Sequence, residues 1–88
     1  MHRLELRETG QALVGGHAVV ASNVWRRAPV GEPGGPVVLR AQIVIDEARP
    51  FDVAEGDQIA IGDAHWRVEE IVEDPVRRRG RVVLMLDR

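Results

Sequence analysis

Three histidines and two nearby aspartates are the side chains in this sequence that could bind a metal ion. His2, His17 and His65 carry imidazoles, and Asp57 and Asp63 carry carboxylates, which are suitable ligands for zinc or a similar ion. Asp63 and His65 share a face if one strand holds both, but two ligands do not make a metal centre. The sequence therefore predicts no metal site and no cofactor.

Groups that could catalyse a reaction are also few. The hydroxyl nucleophiles are Thr9 and Ser22, and there is no cysteine. A serine or a carboxylate needs a base or a paired acid within hydrogen-bond reach, and no spacing in the chain indicates one. The acidic run Glu69-Glu70 and Glu73-Asp74 does not indicate a paired-carboxylate site, because neighbours on a strand point to opposite faces. A run of charges near a turn is usually solvated. We expect no catalytic residue and no enzymatic activity.

The strongest local charge feature is the arginine turn, Arg77-Arg78-Arg79-Gly80-Arg81. Arginines on a hairpin loop can reach phosphates or the carboxylates of a protein partner. A net charge of −2 and an aromatic content of 3% argue against a nucleic-acid surface, which usually adds aromatic platforms for stacked bases. The other interpretation is a solvated turn whose arginines pair with carboxylates across the hairpin, namely Glu69, Glu70, Glu73 and Asp74.

The two tryptophans differ in their surroundings. Trp66 is flanked by Ala64 and Val68 at alternate positions, which predicts a place in the core. Trp25 is followed by two arginines and a proline-rich loop, which favours a place at an interface. The candidate partner-binding residues are Trp25, Arg26, Arg27, Arg77, Arg78, Arg79 and Arg81.

The composition is that of one small globular domain covering residues 1–88. Hydrophobic residues make up 44% of the chain and charged residues 30%, which is not the composition of a disordered chain. No apolar run is long enough to span a bilayer, and residues 1–7 alternate charge with leucine where a signal peptide would have an apolar core. We expect a cytoplasmic protein without membrane contact.

The apolar residues predict an all-β fold of six to seven short strands, arranged as a small barrel or a rolled antiparallel sheet. The strictest alternation runs from Val37 to Ile45, and Gln11 to Val14 is a turn or a short edge strand. In the segment from Ala64 to Glu73, Ile71 joins the apolar face only if Glu69-Glu70 forms a bulge; a helix from Glu69 is the alternative. The predicted core comprises Leu4, Leu6, Val19, Leu39, Ile43, Ile45, Phe51, Ile59, Ile61, Trp66, Val68, Val82, Leu84 and Leu86.

Two resemblances bear on this fold. Over nearly its full length, with its opening Leu-Glu-Leu-Arg, its glycine-marked second strand and its Ala28-Pro29 loop, the sequence resembles an uncharacterised family of small actinobacterial β-domains. That resemblance implies a fold and nothing more. Over about the last forty residues, Gly56-Asp57, Ile59, Ile61-Gly62, Trp66 and Val68 to Ile71 are similar to the head–tail joining proteins of long-tailed phages. That second resemblance implies a small barrel that assembles as a ring.

The functional expectation is a non-catalytic protein-binding or assembly module. It would engage a partner protein or its own copies through exposed strand edges, the Trp25 to Pro36 loop and the arginine turn. One alternative is a phage-type head–tail connector subunit that forms a ring. Another is a nucleic-acid-binding β-barrel that uses the turn from Arg77 to Arg81.

Overall fold

The computed structural model describes residues 2–29, 31–74, 76–77 and 79–87, which form strands, turns and loops but no helix. The all-β prediction is confirmed. The strands are β1 (Arg3–Arg7), β2 (Gln11–Val14), β3 (His17–Arg27), β4 (Val38–Ile45), β5 (Phe51–Ala54), β6 (Gln58–Ile61), β7 (Ala64–Val72) and β8 (Arg81–Leu86).

The strands form two antiparallel sheets of four strands each. The β1 sheet has the order β1-β8-β7-β6 and the β2 sheet has the order β2-β3-β4-β5. The prediction of six to seven strands closed into a barrel or rolled into one sheet is wrong on both counts. Gln11–Val14 is a full edge strand, and the link from the end of β1 to β3 is a single bridge between Glu8 and Ala21, too little for a continuous ladder.

Two-residue loops join the hairpins at one edge of each sheet. Gly15-Gly16 connects β2 to β3, and both glycines have positive φ, 57° and 85°, as the primed hairpin turns require. Gly62-Asp63 also connects β6 to β7 in two residues, with a positive φ of 61° at Gly62. These loops pair Val14 with His17 and Ile61 with Ala64, which fixes the register of both hairpins.

Each sheet also contains one bulged strand. In β7 the register shifts between Val68 and Glu70, which turns Ile71 into the core, so the strand with a bulge is confirmed and the alternative helix is wrong. In β3 the register shifts between Ser22 and Trp25. That second bulge explains why the apolar residues of this strand show no clean alternation in sequence.

The core lies between the two sheets and contains most of the predicted residues. Leu4, Leu39, Ile45 and Leu86 are only partly buried against it. Phe51 is a wrong prediction: it begins an edge strand and remains 38% exposed. The buried apolar residues outside the predicted core are Ala21, Val24, Ala41, Val53, Ile71 and Val83.

No helical segment in the described part of the chain has the length and apolarity that a bilayer crossing requires.

Candidate functional site

The bulge of β3 opens a cleft of about 540 Å³ beside the exposed Trp25. Asn23 has a φ of 52°, a left-handed conformation that asparagine tolerates better than most residues. This extra residue turns Val24 into the core and Trp25 outward, where 46% of its surface is exposed. The lining of this bulge cleft is Glu8, Thr9, Ser22, Asn23, Val24, Trp25, Glu73 and Asp74.

Glu8 fixes the inner wall of the bulge cleft. Its carboxylate accepts hydrogen bonds from the backbone N–H groups of Val24 at 3.2 Å and Gly80 at 3.1 Å. Its own backbone N–H donates to the carbonyl of Gly80 at 2.7 Å. One glutamate therefore ties the end of β1, the bulge of β3 and the approach to β8 together.

Gly80 is a glycine because space is lacking at this junction. A Cβ atom there would lie 2.8 Å from the carbonyl oxygen of Val72 and 3.0 Å from the Cβ of Val24. The first distance is shorter than real Cβ atoms show, and its partner is backbone, which cannot move aside cheaply. The close approach of these segments places the arginine turn next to the bulge cleft.

Trp25 is held by an arginine on its own strand. The guanidinium carbon of Arg27 lies 4.9 Å from the centroid of the indole ring, within the range of a cation–π contact. Arg27 in turn donates to Oδ1 of Asp52 at 2.9 Å and to the carbonyl of Asn23 at 2.7 Å. The exposed ring therefore rests on a side chain that is anchored on two sides.

The anchoring pair is largely withdrawn from water. The side chains of Arg27 and Asp52 are 17% and 9% exposed, and Oδ2 of Asp52 is buried without a hydrogen-bond partner among the described residues. Arg40, which the alternation placed on the polar side of β4, is only 8% exposed. It donates to the carbonyls of Arg27 at 3.0 Å and Pro36 at 3.2 Å, which joins the end of β3 to the proline-rich loop.

The arginine turn begins at the rim of the same cleft. The carboxylate of Asp74, part of the cleft wall, accepts the backbone N–H of Arg77 at 3.1 Å. Arg77, Arg79 and Arg81 are exposed, whereas the candidate Arg78 lies outside the described residues. The structure thus brings Trp25, Arg27 and the arginine turn to one end of the molecule, while Arg26 lies in a separate groove beside Leu39 and Ile71.

The interpretation in which the arginine turn pairs with nearby carboxylates does not match the described residues. The side-chain ion pairs within the described ranges are His17 with Asp46 and Arg27 with Asp52. Arg81 instead lies directly opposite Arg7 in the register of β1 and β8. Arg7 and Arg81 are both exposed, and like charges at directly opposed positions repel each other.

The candidate metal ligands are not gathered together. In the part of the chain that the structure describes, no three His, Asp or Glu residues lie where they could hold one ion. Nδ1 of His17 bonds Oδ2 of Asp46 at 2.6 Å, and the backbone N–H of Ala18 donates to Oδ1 at 2.9 Å. These two hydrogen bonds hold the pKa of the Asp46 carboxyl below its ordinary value of 3.8.

The described residues that line the bulge cleft carry two hydroxyls, three carboxylates, one side-chain amide and one indole ring. Its hydroxyls are Thr9 and Ser22, and no histidine lines it that could take their protons. What it offers a ligand is an indole face, hydrogen-bonding groups and carboxylates. The sequence indicates Trp25 and Arg27 as candidates but not Glu8, Asn23 or Asp52. For these three, the sequence offers one signal, which is that asparagine tolerates the left-handed backbone conformation better than most residues.

Comparison of the chain with protein-family models, with curated proteins and with solved structures finds no match.

Proposed function

We propose that this chain is a non-catalytic protein-binding module that engages its partner through Trp25 and the bulge cleft. The observation that carries the proposal is the setting of Trp25. Its side chain is about half exposed and lies against Arg27, which an ion pair with Asp52 anchors. Tryptophan and arginine are enriched among residues that dominate binding energy at protein interfaces. A side chain held in place before binding also loses less entropy when the partner arrives.

The surroundings of Trp25 favour a partner segment with a basic side chain. Glu73 and Asp74 stand on the wall of the bulge cleft beside the indole ring. A lysine or arginine from the partner would gain from both the carboxylates and the aromatic face. Because the charge of Arg27 is already matched by Asp52, it does not cancel this preference.

A displayed library of random peptides tests the proposal, because it offers the cleft many different partner segments at once. We expect enrichment of peptides with a basic residue next to an apolar one, and at least a tenfold loss of their affinity, about 1.4 kcal/mol, in the Trp25→Ala variant. Phe51→Ala is the matched control, since Phe51 is an exposed aromatic residue on another strand of the same sheet. Equal binding to Trp25→Ala and wild type, or no enrichment at all, contradicts the proposal.

A second candidate function is binding of a polyanion such as single-stranded nucleic acid. The specific observation in its favour is the directly opposed pair Arg7 and Arg81, next to the exposed Arg77 and Arg79. A phosphate backbone that crossed this corner would relieve the repulsion between them. The net charge of −2 and the aromatic content of 3% argue against a nucleic-acid surface, so this function ranks second.

Fluorescence anisotropy with a labelled oligonucleotide distinguishes the two functions. Polyanion binding predicts an affinity that falls steeply with salt, and a shallower salt dependence in an Arg7→Gln, Arg81→Gln variant. Peptide binding at Trp25 should survive those two substitutions. An affinity for the oligonucleotide that ignores salt, or ignores both arginines, argues against the second candidate.

A further inference from the structure

The four edge strands of the two sheets are not equally protected against pairing with another chain. Natural edges are usually blunted by charges, prolines or bulges. β1 has the sequence Arg-Leu-Glu-Leu-Arg, and β5 contains Asp52 and follows Pro50. β2 and β6 have neither charge nor proline within them, so these two edges are the open ones.

β2 and β6 differ in the charge of the residues that flank them. In an antiparallel pair of β6 strands from two copies, Asp63 would face Asp57 or Glu55 of the other copy, depending on the register. Such like-charge contacts oppose pairing. The stretch from Thr9 to Gly16 around β2 contains no charged residue, so two copies of β2 meet without electrostatic cost.

Free backbone hydrogen-bonding groups on β2 point outward at two positions. The pair that flanks a two-residue loop, Val14 with His17, is hydrogen-bonded, and hydrogen-bonded and non-hydrogen-bonded pairs then alternate along the hairpin. Leu13 and Gln11 therefore direct their N–H and C=O groups away from β3. If two copies pair Leu13 with Gln11 of the other copy, with Ala12 on the two-fold axis, all four outward N–H groups are satisfied.

The side chains on this edge also suit a second copy. Leu13 is 75% exposed, and its neighbour in the register of β3 is the small Ala18. In the pairing just described the two Leu13 side chains lie diagonally across the axis, close enough to cover each other. The opposed Ala12 side chains are small enough for the close approach of a non-hydrogen-bonded pair.

From these observations we infer that two copies of this chain associate through antiparallel pairing of their β2 strands, which joins the two β2 sheets into one sheet of eight strands. The inference stands apart from the function proposed for Trp25. Four residues on each side bury far less than the roughly 1,200–2,000 Å² of a standard interface, so the dimer is weak, with a dissociation constant of about 10⁻⁴ M.

Sedimentation velocity over about 10 μM to 1 mM tests this dimer, because that range brackets the expected dissociation constant. We expect the wild type to shift from monomer to dimer, and Leu13→Pro to weaken the dimer at least tenfold, since proline removes an outward donor without touching the ladder to β3. Ala60→Pro is the matched control, because Ala60 holds the same hairpin position on β6. A wild type that stays monomeric, a stable larger ring, or equal weakening by both prolines overturns the inference.

A second pair of variants covers the case in which a proline variant fails to fold. Leu13→Arg sets two arginines across the axis and should also abolish the dimer, whereas Ala60→Arg should not. In the wild type, hydrogen exchange at the amides of Gln11 and Leu13 should slow as concentration rises, and exchange at Ala60 should not. Trp25→Ala should dimerise as the wild type does, which separates this inference from the proposed binding site. Dimerisation of Leu13→Arg at wild-type strength overturns the inference.

Discussion

Each sheet contains one bulged strand, and each bulge is held by a glutamate that directly follows another strand. Glu8 follows β1 and accepts the backbone N–H of Val24 in the bulge of β3. Glu55 follows β5 and accepts the N–H of Ile71, at 2.9 Å, beside the bulge of β7. A bulge disrupts the ladder and leaves a backbone donor unpaired, so both carboxylates satisfy a need that the extra residue creates.

The two bulges differ in what they do with the following side chains. In β7 the bulge returns Ile71 to the core, where it is 4% exposed. In β3 the bulge buries Val24 but turns Trp25 outward, and Glu8 binds Gly80 as well as the bulge. A bulge anchored at one amide can thus return the following apolar side chain to the core. A bulge whose anchoring glutamate joins three segments can hold an exposed side chain in a fixed place.

The largest expected effect comes from removing the two anchors. Glu8→Ala should lower the free energy of unfolding by about 2–6 kcal/mol, because two buried N–H groups lose their acceptor at about 1–3 kcal/mol each. Glu55→Ala removes one acceptor and should cost about 1–3 kcal/mol. Urea unfolding monitored by circular dichroism measures both values.

Glutamine at each position is the control for this pair. Its amide oxygen can replace one carboxylate oxygen but not two, so Glu55→Gln should recover most of the lost stability and Glu8→Gln only part of it. Equal losses for Glu8→Ala and Glu55→Ala would mean that the two anchors are equivalent, and the comparison between the bulges would fail.

A smaller effect is expected from the support beneath Trp25. Asp52→Ala leaves the mostly buried Arg27 without its carboxylate and should cost about 1.5–3 kcal/mol. Because Arg27 then moves more freely, acrylamide should quench tryptophan fluorescence more strongly, and the signal should come from Trp25, since Trp66 is 7% exposed.

Glu70 is the control for Asp52→Ala at the other bulge, because it is an exposed carboxylate directly after the register shift in β7. Glu70→Ala should change stability by less than about 0.5 kcal/mol and leave quenching unchanged. If Asp52→Ala also leaves stability and quenching unchanged, Arg27 does not hold Trp25. The two bulges then do not differ in how firmly they fix the side chains beside them.

The smallest expected effect lies at the start of β3, away from both bulges. Since the pKa of Asp46 is lower in the folded chain than its ordinary 3.8, this group stabilises the fold fully above that value and loses the effect as pH falls through the folded-state pKa. Asp46→Asn should therefore flatten part of the stability loss below about pH 4. If the stability measured by thermal unfolding falls with pH below about pH 4 as steeply in Asp46→Asn as in the wild type, Asp46 makes no such contribution. If the substitution changes the acrylamide quenching of Trp25, the start of β3 is coupled to the bulge.

Much of the fold follows from the period of two in the sequence. It predicted an all-β fold of six to seven strands, with Gln11–Val14 as a turn or a short edge strand, and it placed Ile71 on the apolar face only if β7 contained a bulge. It could not predict two open sheets, because closure depends on whether β1 and β2 continue in one sheet. The bend at Glu8 to Gly10 decides that question, and it leaves no mark on the apolar pattern.

The candidate site was less predictable. Trp25 and Arg27 were recognisable because an aromatic and a cation stand next to a proline-rich loop. Glu8 acts on residues 16 and 72 positions away, and such partners are set by tertiary packing. Arg40 looked solvated by alternation, but the carbonyls it binds belong to β3 and to the loop.

The pairing of β1 with β8 bears on how this domain folds. Leu6 of the first strand lies opposite Val82 of the last, so the β1 sheet needs contacts between residues more than seventy positions apart. Closing so long a loop costs entropy before any contact repays it, which favours slow folding. The hairpins β2–β3 and β6–β7 can form early, whereas β1 must wait for β8. During synthesis the edge of β7 that pairs with β8 therefore keeps its backbone N–H and C=O groups unpaired until β8 has left the ribosome.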